Sequence, residues 1–368
     1  MSYSAHRPEG YRGRADSRLP RIVRQLRQTL AEAQRGFSHD TLRLDAHSLD
    51  ELAAILVDFA EDLHGGAGIW DAYEHYNTEF FGTSLPLTPK EGSGSGTGLC
   101  PDRFRHFLWV LYPLLLEGLT LSPTHRDVEH VADVCRDFLS DAFSGVPRDS
   151  GVKAFLQAPN LRGWDVKRKL VWLGSHSFMF RLPFARYMEE RGTRGADIAH
   201  TDDFVCQECT RWSGLGAIDV LAAVLDIPED DRRDLRSWYE RHAAFYRLVS
   251  VSSETLQAVN LVSDQPYQIR IDMKKHPFRR GQVVFGSLVP WRGEWYWSGE
   301  QRLVGDASIV DVDDLKSTMK RQSSAIVCRY SEEYRALARQ RMSTCLLYTS
   351  PSPRDSLHNL VIRNMNVK

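Results

Sequence analysis

The chain has 368 residues, with 47 lysine and arginine residues against 48 aspartate and glutamate residues. This near balance argues against a protein that binds a polyanion through its overall charge, because such domains are strongly basic. A hydrophobic fraction of 42% is enough for a large core and excludes a disordered composition. The length predicts one large domain or two modest ones, since a typical domain has roughly 100–200 residues.

Cysteine content and targeting patterns indicate the compartment. Five cysteines precede residue 345, and an odd, sparse set in a long chain is typical of a reducing environment. Residues 1–20 contain arginines but no apolar run, so we expect no secretory signal there. The longest apolar run, Phe107–Leu116, is shorter than the roughly 20 residues that cross a membrane, and Pro113 interrupts it. We therefore expect a soluble, cytoplasmic protein with no membrane partner.

Helical periodicity dominates the first two thirds of the chain. Residues 1–20 are polar and are predicted to be flexible, whereas residues 21–250 are predicted to form a helical domain. Ser48 and Glu51 match a capping box at the start of one helix. The residues behind it recur at helical spacing and predict one buried face: Leu52, Ile55, Leu56, Phe59 and Leu63.

Later helices follow the same pattern. Arg103–Gly118 is apolar nearly all round, which predicts a central buried helix. Val166–Glu190 predicts two helices with a break near Gly174 or Pro183. Pro228–Val249 predicts a single helix, whose buried face carries residues at helical spacing: Leu235, Trp238, Tyr239, His242 and Phe245.

Near residue 251 the apolar period changes from 3.6 to 2, which predicts a small antiparallel β module over residues 251–305. Gln282–Val289 and Glu294–Gln301 predict two of its strands, and Pro290 and Gly293 favour a turn between them. The predicted fold class is α+β, a predominantly helical body that carries this β module near the C-terminus. A helical pattern returns over residues 306–344.

The segment His64–Asn77 has the highest density of residues that bind or react. His64 with Asp71 and Glu74 could perform acid–base chemistry or hold a divalent cation, so these are the catalytic candidates. We expect the segment to line the main pocket. The predicted ligand-binding residues are Trp70, Tyr73, Asn77, Trp212 and Ser213. The alternative is structural, with the carboxylates in a solvated first helical turn and the aromatic residues in the core.

Two further clusters have a functional and a structural interpretation. Cys206 and Cys209 form a C-x-x-C pair, a weak metal candidate because no second pair or histidine pair accompanies it. A short basic run near the predicted hairpin could form a surface of charge and stacking aromatics for nucleic acid or another partner. Its members are Lys274, Lys275, Arg279 and Arg280, with Trp291 and Trp297. The structural alternative is a solvated loop beside tryptophans that pack inward.

Three segments, His64–Pro86, Phe204–Ile227 and Gly281–Gln301, together resemble an uncharacterised family of bacterial proteins over about residues 60–305. The resemblance implies a bacterial, cytoplasmic origin and brings no assigned activity. The function remains open between a binding or interaction protein, a metal-assisted hydrolase using an acidic/histidine pocket around His64–Asn77, and single-stranded nucleic-acid binding through the β module. No cofactor is clearly implied, and a protein partner is compatible with the first hypothesis.

The final segment differs in origin from the rest. Cys345–Asp355 resembles one translated frame of a transposase adapter used in sequencing libraries. We therefore expect residues 345–368 to be non-native and to carry no function, and the natural chain to continue differently beyond about Thr344.

Deletion of residues 345–368 should leave the free energy of unfolding unchanged within about half a kcal/mol, as for surface changes generally. Chemical denaturation of the full chain and of a chain ending at Thr344 measures this directly. A cooperative loss of several degrees in Tm on truncation would contradict the prediction.

Overall fold

A computed structural model describes residues 3–37, 42–86, 88, 98–116, 121–122, 124–193, 197–207, 214–271 and 276–323. Its fold is α+β, as predicted, with a helical body and a five-stranded sheet towards the C-terminus. The α-helices are α1 Leu19–Ala33, α2 Ala46–Gly65, α3 Ile69–Phe81, α4 Pro101–Leu115, α5 Arg126–Phe143, α6 Gly151–Gln157, α7 Gly163–His176, α8 Arg181–Glu190, α9 Ile198–Gln207, α10 Ala217–Val224, α11 Glu229–Ser237 and α12 Val312–Ser323. The strands are β1 His242–Val251, β2 Thr255–Asn260, β3 Pro266–Arg270, β4 Gln282–Trp291 and β5 Glu294–Asp306.

Helix α2 lies at the centre of the helical body, and most of its length is buried. The Phe59 ring contacts three aromatic rings, with centroid distances of 4.9 Å to Trp70, 5.3 Å to Phe104 and 4.4 Å to Phe107. The helix begins earlier than the predicted capping box, because the Asp45 carboxylate accepts the backbone N–H of Ser48 at 2.7 Å. This cap satisfies a donor that the first helical turn leaves unpaired.

The N-terminal segment is packed, contrary to the predicted flexibility of residues 1–20. The Tyr3 hydroxyl donates to Asp58 at 2.6 Å, and the Trp172 indole N–H donates to the carbonyl of His6 at 3.0 Å. The Arg7 guanidinium pairs with Glu61, which lies 54 residues further along the chain. Composition alone predicted a mobile segment because none of these partners is local.

Strand β1 was predicted as part of a long helix and is a correction. Helix α11 ends at Ser237, a short 3-10 turn covers Trp238–Glu240, and the chain is extended from His242. Leu235 and Trp238 are fully buried, as a helix would require. The strand prevails beyond them because β1 pairs on one edge with β2 and on the other with β4.

The five strands close into a barrel in the order β1-β2-β3-β5-β4. Four pairings are antiparallel, as predicted, whereas the closing β3–β5 pairing is parallel, so the sheet is mixed. Strands β1 to β3 form a meander, and β4 returns to lie beside β1, which is the Greek-key arrangement. Strand β5 then follows β4 through a two-residue turn in which Arg292 and Gly293 both have positive φ, as a tight hairpin requires.

The barrel has its own core and packs one side on the helical body. Tyr246 and Trp297 lie inside the barrel with ring centroids 5.6 Å apart. On the outer surface, Trp291 of β4 and Tyr296 of β5 belong to the core of the helical body. Trp291 meets Trp238 edge-on at 6.3 Å. The outer faces of β4 and β5 near their hairpin are therefore the docking side of the barrel.

A buried ionic network joins the same two parts. Asp202 of α9 pairs with Lys167 of α7 and with Arg241, whose Nη1 lies 2.7 Å from the carboxylate. The Ser298 hydroxyl of β5 donates to Asp202 at 2.8 Å. Burial would raise the pKa of Asp202, but the charges of Lys167 and Arg241 outweigh it and lower the pKa to about 2. Asp202 is therefore ionised and bridges the helical body and the barrel.

Part of the chain falls outside the described ranges, including the Gly/Ser run at 92–96 and the adapter-like residues 345–368. Of the helical segment predicted over 306–344, only α12 is described. Among the described helices, none combines the length and apolar character needed to cross a membrane.

Asp202→Ala should destabilise the fold by about 3–5 kcal/mol, because it leaves Lys167 and Arg241 as buried charges without their counter-ion. Chemical denaturation gives the free energy of unfolding. The matched control is Asp230→Ala, which removes an exposed carboxylate 3.0 Å from Arg233 and should change stability by less than about 1 kcal/mol. Equal denaturation midpoints of Asp202→Ala and Asp230→Ala would contradict a bridging role for Asp202.

Candidate functional site

A small cavity lies between the N-terminal segment, α2 and α7. Its volume of about 20 Å³ accommodates a water molecule or a small ion. Its ionisable lining residues come from distant parts of the chain: His6, Arg7, Asp58, Glu61, Asp62 and His176. This concentration of buried and partly buried titratable groups makes the cavity a candidate functional site.

Two of the three carboxylates are paired with arginines. Arg7 donates to Glu61 at 2.6 Å, and Asp58 accepts from Arg181 at 2.6 Å and from the Tyr3 hydroxyl at 2.6 Å. Burial raises the pKa of Glu61 although the Arg7 hydrogen bond opposes this. Paired in this way, both carboxylates fix the N-terminal segment to α2.

Asp62 is held differently, without a basic partner among the contacts that the structure describes. Its two carboxylate oxygens accept the backbone N–H groups of Ile69 at 3.0 Å and Trp70 at 2.7 Å, so it caps the start of α3. The chain can turn back towards this carboxylate because Gly68 adopts a φ of 90°. Burial raises the pKa of Asp62 to about 7 despite these hydrogen bonds.

Two imidazoles complete the lining. The rings of His6 and His176 lie 5.9 Å apart. The pKa of each imidazole is lowered, mainly by burial and to a lesser extent by the nearby positive charge of Arg181. Nδ1 of His6 is buried and has no hydrogen-bond partner among the described residues. Neutral imidazoles and a carboxyl group that titrates near pH 7 can exchange protons with a bound water. The volume limits this chemistry to water-sized molecules.

His64, Asp71 and Glu74, the predicted catalytic residues, do not line this cavity, whereas Ala67 and Ile69 of the same segment do. His64 Nε2 lies 2.9 Å from the Val146 carbonyl oxygen. Glu74 accepts two hydrogen bonds from Arg103 and one from the Trp70 indole N–H, each 2.7 Å long. Asp71 is exposed and lies 3.4 Å from Arg103. These contacts are those of a helix surface held to α4, which favours the structural interpretation.

The predicted ligand-binding residues of α3 are part of the core. Trp70, Tyr73 and Asn77 share one buried face, as the spacing predicted. The Tyr73 hydroxyl lies 2.9 Å from Nε2 of His106 in α4, and Asn77 donates to the carbonyl of Ser84 at 3.1 Å. The Tyr73 hydroxyl and the Asn77 amide nitrogen are therefore occupied by internal hydrogen bonds. Trp212 and Ser213 lie outside the described residues.

Cys206 is buried, and Lys167 Nζ lies 3.5 Å from its sulfur. Burial raises the pKa of this thiol, and an ammonium group at this distance disfavours a metal cation by charge repulsion. Its predicted partner Cys209 lies outside the described part of the chain. Within the described ranges, no group of three or more histidine, cysteine, aspartate or glutamate residues could hold a metal ion.

The predicted surface of basic and aromatic residues is corrected in its aromatic part. Trp291 and Trp297 are 1% and 2% exposed, so neither can stack on a ligand at the surface. Arg279 and Arg280 are exposed, as predicted. Lys274 and Lys275 are not among the described residues.

The barrel face formed by β1, β2 and β3 is exposed. It is defined here by its outward residues Arg247, Val249, Gln257 and Gln268, all exposed, and is called the open barrel face. Gln257 lies opposite Gln268 in the β2–β3 pairing. The backbone N–H of Gly281 donates to the carbonyl of Leu248 at 2.8 Å, which places the neighbouring Arg279 and Arg280 beside the β1 edge of this face.

Sequence reasoning missed the cavity and the open barrel face. Asp62 had one readable signal, its position directly before the glycine-rich residues 65–68 that let the chain turn back. His6 and His176 carry no local signal, because they meet only through tertiary packing.

Comparisons with known proteins give no match: no family profile, no curated protein and no solved structure is similar to this chain.

The pKa of Asp62 generates a pH prediction. Between about pH 4 and 7 the folded state keeps a proton on Asp62 that the unfolded chain has lost, so the free energy of unfolding falls as pH rises through this window. Asp62→Asn cannot ionise. The stability of the parent minus that of the variant should therefore fall by roughly 2 kcal/mol from pH 5 to pH 8, as measured by urea denaturation. A constant difference across this range would contradict the prediction.

Proposed function

We propose that this protein is a binding protein, and that its open barrel face contacts single-stranded nucleic acid. The observation that carries the proposal is the one-sided packing of the barrel. Trp291 and Tyr296 bury the outer faces of β4 and β5 in the helical body, while the outward residues of β1, β2 and β3 remain exposed.

The strand arrangement supports this choice of face. Small five-stranded Greek-key barrels include the OB class, which binds oligonucleotides and oligosaccharides across the face of strands 2 and 3. This barrel has the same number of strands and a Greek-key order, and its corresponding face is exposed. Because one fold can host many functions, the chemistry of the face has to carry the rest of the proposal.

The side chains of the face suit a hydrogen-bonding anionic polymer. Arg247 is exposed at the centre of β1 and lies opposite Val259 of β2, and the exposed Gln257 and Gln268 lie opposite each other on β2 and β3. Arg279 and Arg280 extend the positive charge past the edge of β1. Glutamine amides can hydrogen-bond bases, and arginine forks match phosphate geometry.

The contacts of His64, Asp71 and Glu74 give the hydrolase hypothesis no comparable support. Glu74 is committed to Arg103 and Trp70, and the neighbouring polar cavity has space only for a water-sized molecule.

The combined substitution Arg247→Glu and Arg280→Glu should weaken binding of a fluorescein-labelled 20-nucleotide oligo(dT) at least tenfold, as measured by anisotropy at 50 mM KCl. The reason is that two phosphate-facing charges are reversed on an exposed surface whose folding does not depend on them.

The control is Arg233→Glu with Arg236→Glu, which reverses two exposed charges on α11, away from the barrel face. This variant has the same net charge as the barrel-face variant and therefore controls for the overall change in charge. It should bind oligo(dT) with nearly the affinity of the parent. Absence of parent binding to oligo(dT) at low salt, or equal affinities of the two double variants, would reject the proposed face.

A further inference from the structure

The N-terminal part of the protein has a charge distribution that the balanced total conceals. Residues 3–37 contain eight arginines, no lysine and only three acidic residues. The whole chain, in contrast, has one acidic residue more than its basic residues. Excess positive charge is thus concentrated in one segment, which includes α1.

Helix α1 divides this segment into two faces. Its apolar face is buried against α2 and α5 and consists of Leu19, Ile22, Leu26 and Leu30. The opposite face exposes Arg21 and Arg24, three residues apart and so about 4.5 Å apart along the axis. Gln25 and Gln28 lie on the same exposed side, which carries no large apolar side chain.

The arginines of this face lack the partners that surface arginines often have. Within the described part of the chain, Arg21 and Arg24 form no ion pair with an acidic residue. By contrast, Arg27 on the flank of α1 lies 2.9 Å from Asp50. Charges that face solvent without counter-ions produce a local positive potential that attracts an anion.

One further arginine enlarges the same surface, because Arg18 at the N-cap of α1 precedes Arg21 by three residues. Arg18 is exposed and donates to the carbonyl of Gly145, a neutral partner that leaves its charge uncompensated. The first turn of α1 contains no acidic residue, so the positive end of the helix dipole adds to these charges.

We propose that this α1 arginine surface, comprising Arg18, Arg21 and Arg24, binds the phosphate backbone of nucleic acid without regard to base sequence. Arginine presents a planar fork that matches two phosphate oxygens, whereas lysine acts as a point charge. A straight helix of 15 residues is about 22 Å long, and its solvent-facing arginines can meet a repeating phosphate polymer without a shaped pocket.

An acidic protein partner fits this surface less well. Stable protein interfaces depend on buried anchors, mostly large aromatic or arginine side chains seated in pockets. The exposed side of α1 offers glutamines and arginines on a convex helix, and the described residues of this helix include no large exposed apolar side chain for a partner to cover.

This inference extends the proposed function and does not depend on the open barrel face. The barrel face would select single strands, whereas the α1 arginine surface would hold any phosphate backbone, duplex or single-stranded. The two surfaces therefore predict different responses to the form of the nucleic acid.

The experiment uses the double variant Arg21→Gln/Arg24→Gln, called the α1 variant. Its control has equal charge and spacing and is the double variant Arg233→Gln/Arg236→Gln on α11. Binding of a labelled 20-base-pair duplex and of a 20-nucleotide single strand is measured by anisotropy from 50 to 200 mM KCl. In the α1 variant the slope of log K against log salt should fall by about 2, since each phosphate contact contributes about 1. Duplex affinity at 50 mM should drop at least tenfold, and the control should retain the slope and affinity of the parent.

Several outcomes overturn the inference. These are an unchanged salt slope in the α1 variant, equal losses in the two double variants, or no duplex binding by the parent at 50 mM KCl. Polyglutamate binding more tightly than the duplex would assign the surface to an acidic protein instead. Circular dichroism melts of both variants verify that the fold is retained. The inference is supported if the α1 variant loses duplex binding, the α11 control does not, and the ratio of the affinities for oligo(dT) and duplex is unchanged. This holds even if the barrel-face variant, Arg247→Glu with Arg280→Glu, has no effect.

Discussion

The joint between the helical body and the barrel depends on a single buried carboxylate. The Asp202 carboxylate forms ion pairs with Lys167 of α7 and with Arg241, which lies in the connection before β1. It also accepts a hydrogen bond from the Ser298 hydroxyl of β5. A carboxylate removed from water in this way is stable only if its partners remain in place, because an uncompensated buried charge costs several kcal/mol. The approach of β5 is correspondingly close. A Cβ atom on Gly299 would lie 2.8 Å from the Asp202 carboxylate, and its φ of 72° also favours glycine.

This joint decides which surfaces of the barrel can have a function. Helices α7 and α9 pack against the outer face of β5. Trp291 and Tyr296 of the hairpin are therefore buried against the helical body, and Trp297 is buried inside the barrel. Those residues therefore stabilise the fold. The strands on the other side of the barrel carry arginine and glutamine on their exposed face, and the chemistry available for recognition there is hydrogen bonding and charge.

Elements with a strong local pattern were predictable from sequence, and elements defined by distant partners were not. The continuous apolar periodicity of α2 and the apolar composition of α4 predicted buried helices that the structure confirms. Strand β1 was missed because Leu235, Trp238 and Phe245 also satisfy helical spacing, while its true partners β2 and β4 come later in the chain. For the candidate site, the sequence indicated carboxylates near His64 but not which of them line the cavity. Asp71 and Glu74 lie beside Arg103, whereas Asp58, Glu61 and Asp62 of α2 line the cavity.

The arginines of the N-terminal segment show why composition is a poor guide to binding when charges are segregated. Arg7 forms ion pairs with Asp16, Asp58 and Glu61. These carboxylates compensate its charge, and the pairs with Asp58 and Glu61 hold the segment to α2. Arg21 and Arg24, less than twenty residues later, face solvent without an acidic neighbour within the described ranges. A sum over the chain counts all three as equal and cancels them against carboxylates that lie elsewhere. Coulomb energy depends on distance and burial, and beyond roughly 10 Å salt screens most of the interaction between exposed charges. An anion approaching α1 therefore responds to the local arginines and only weakly to the acidic residues on the remainder of the molecule.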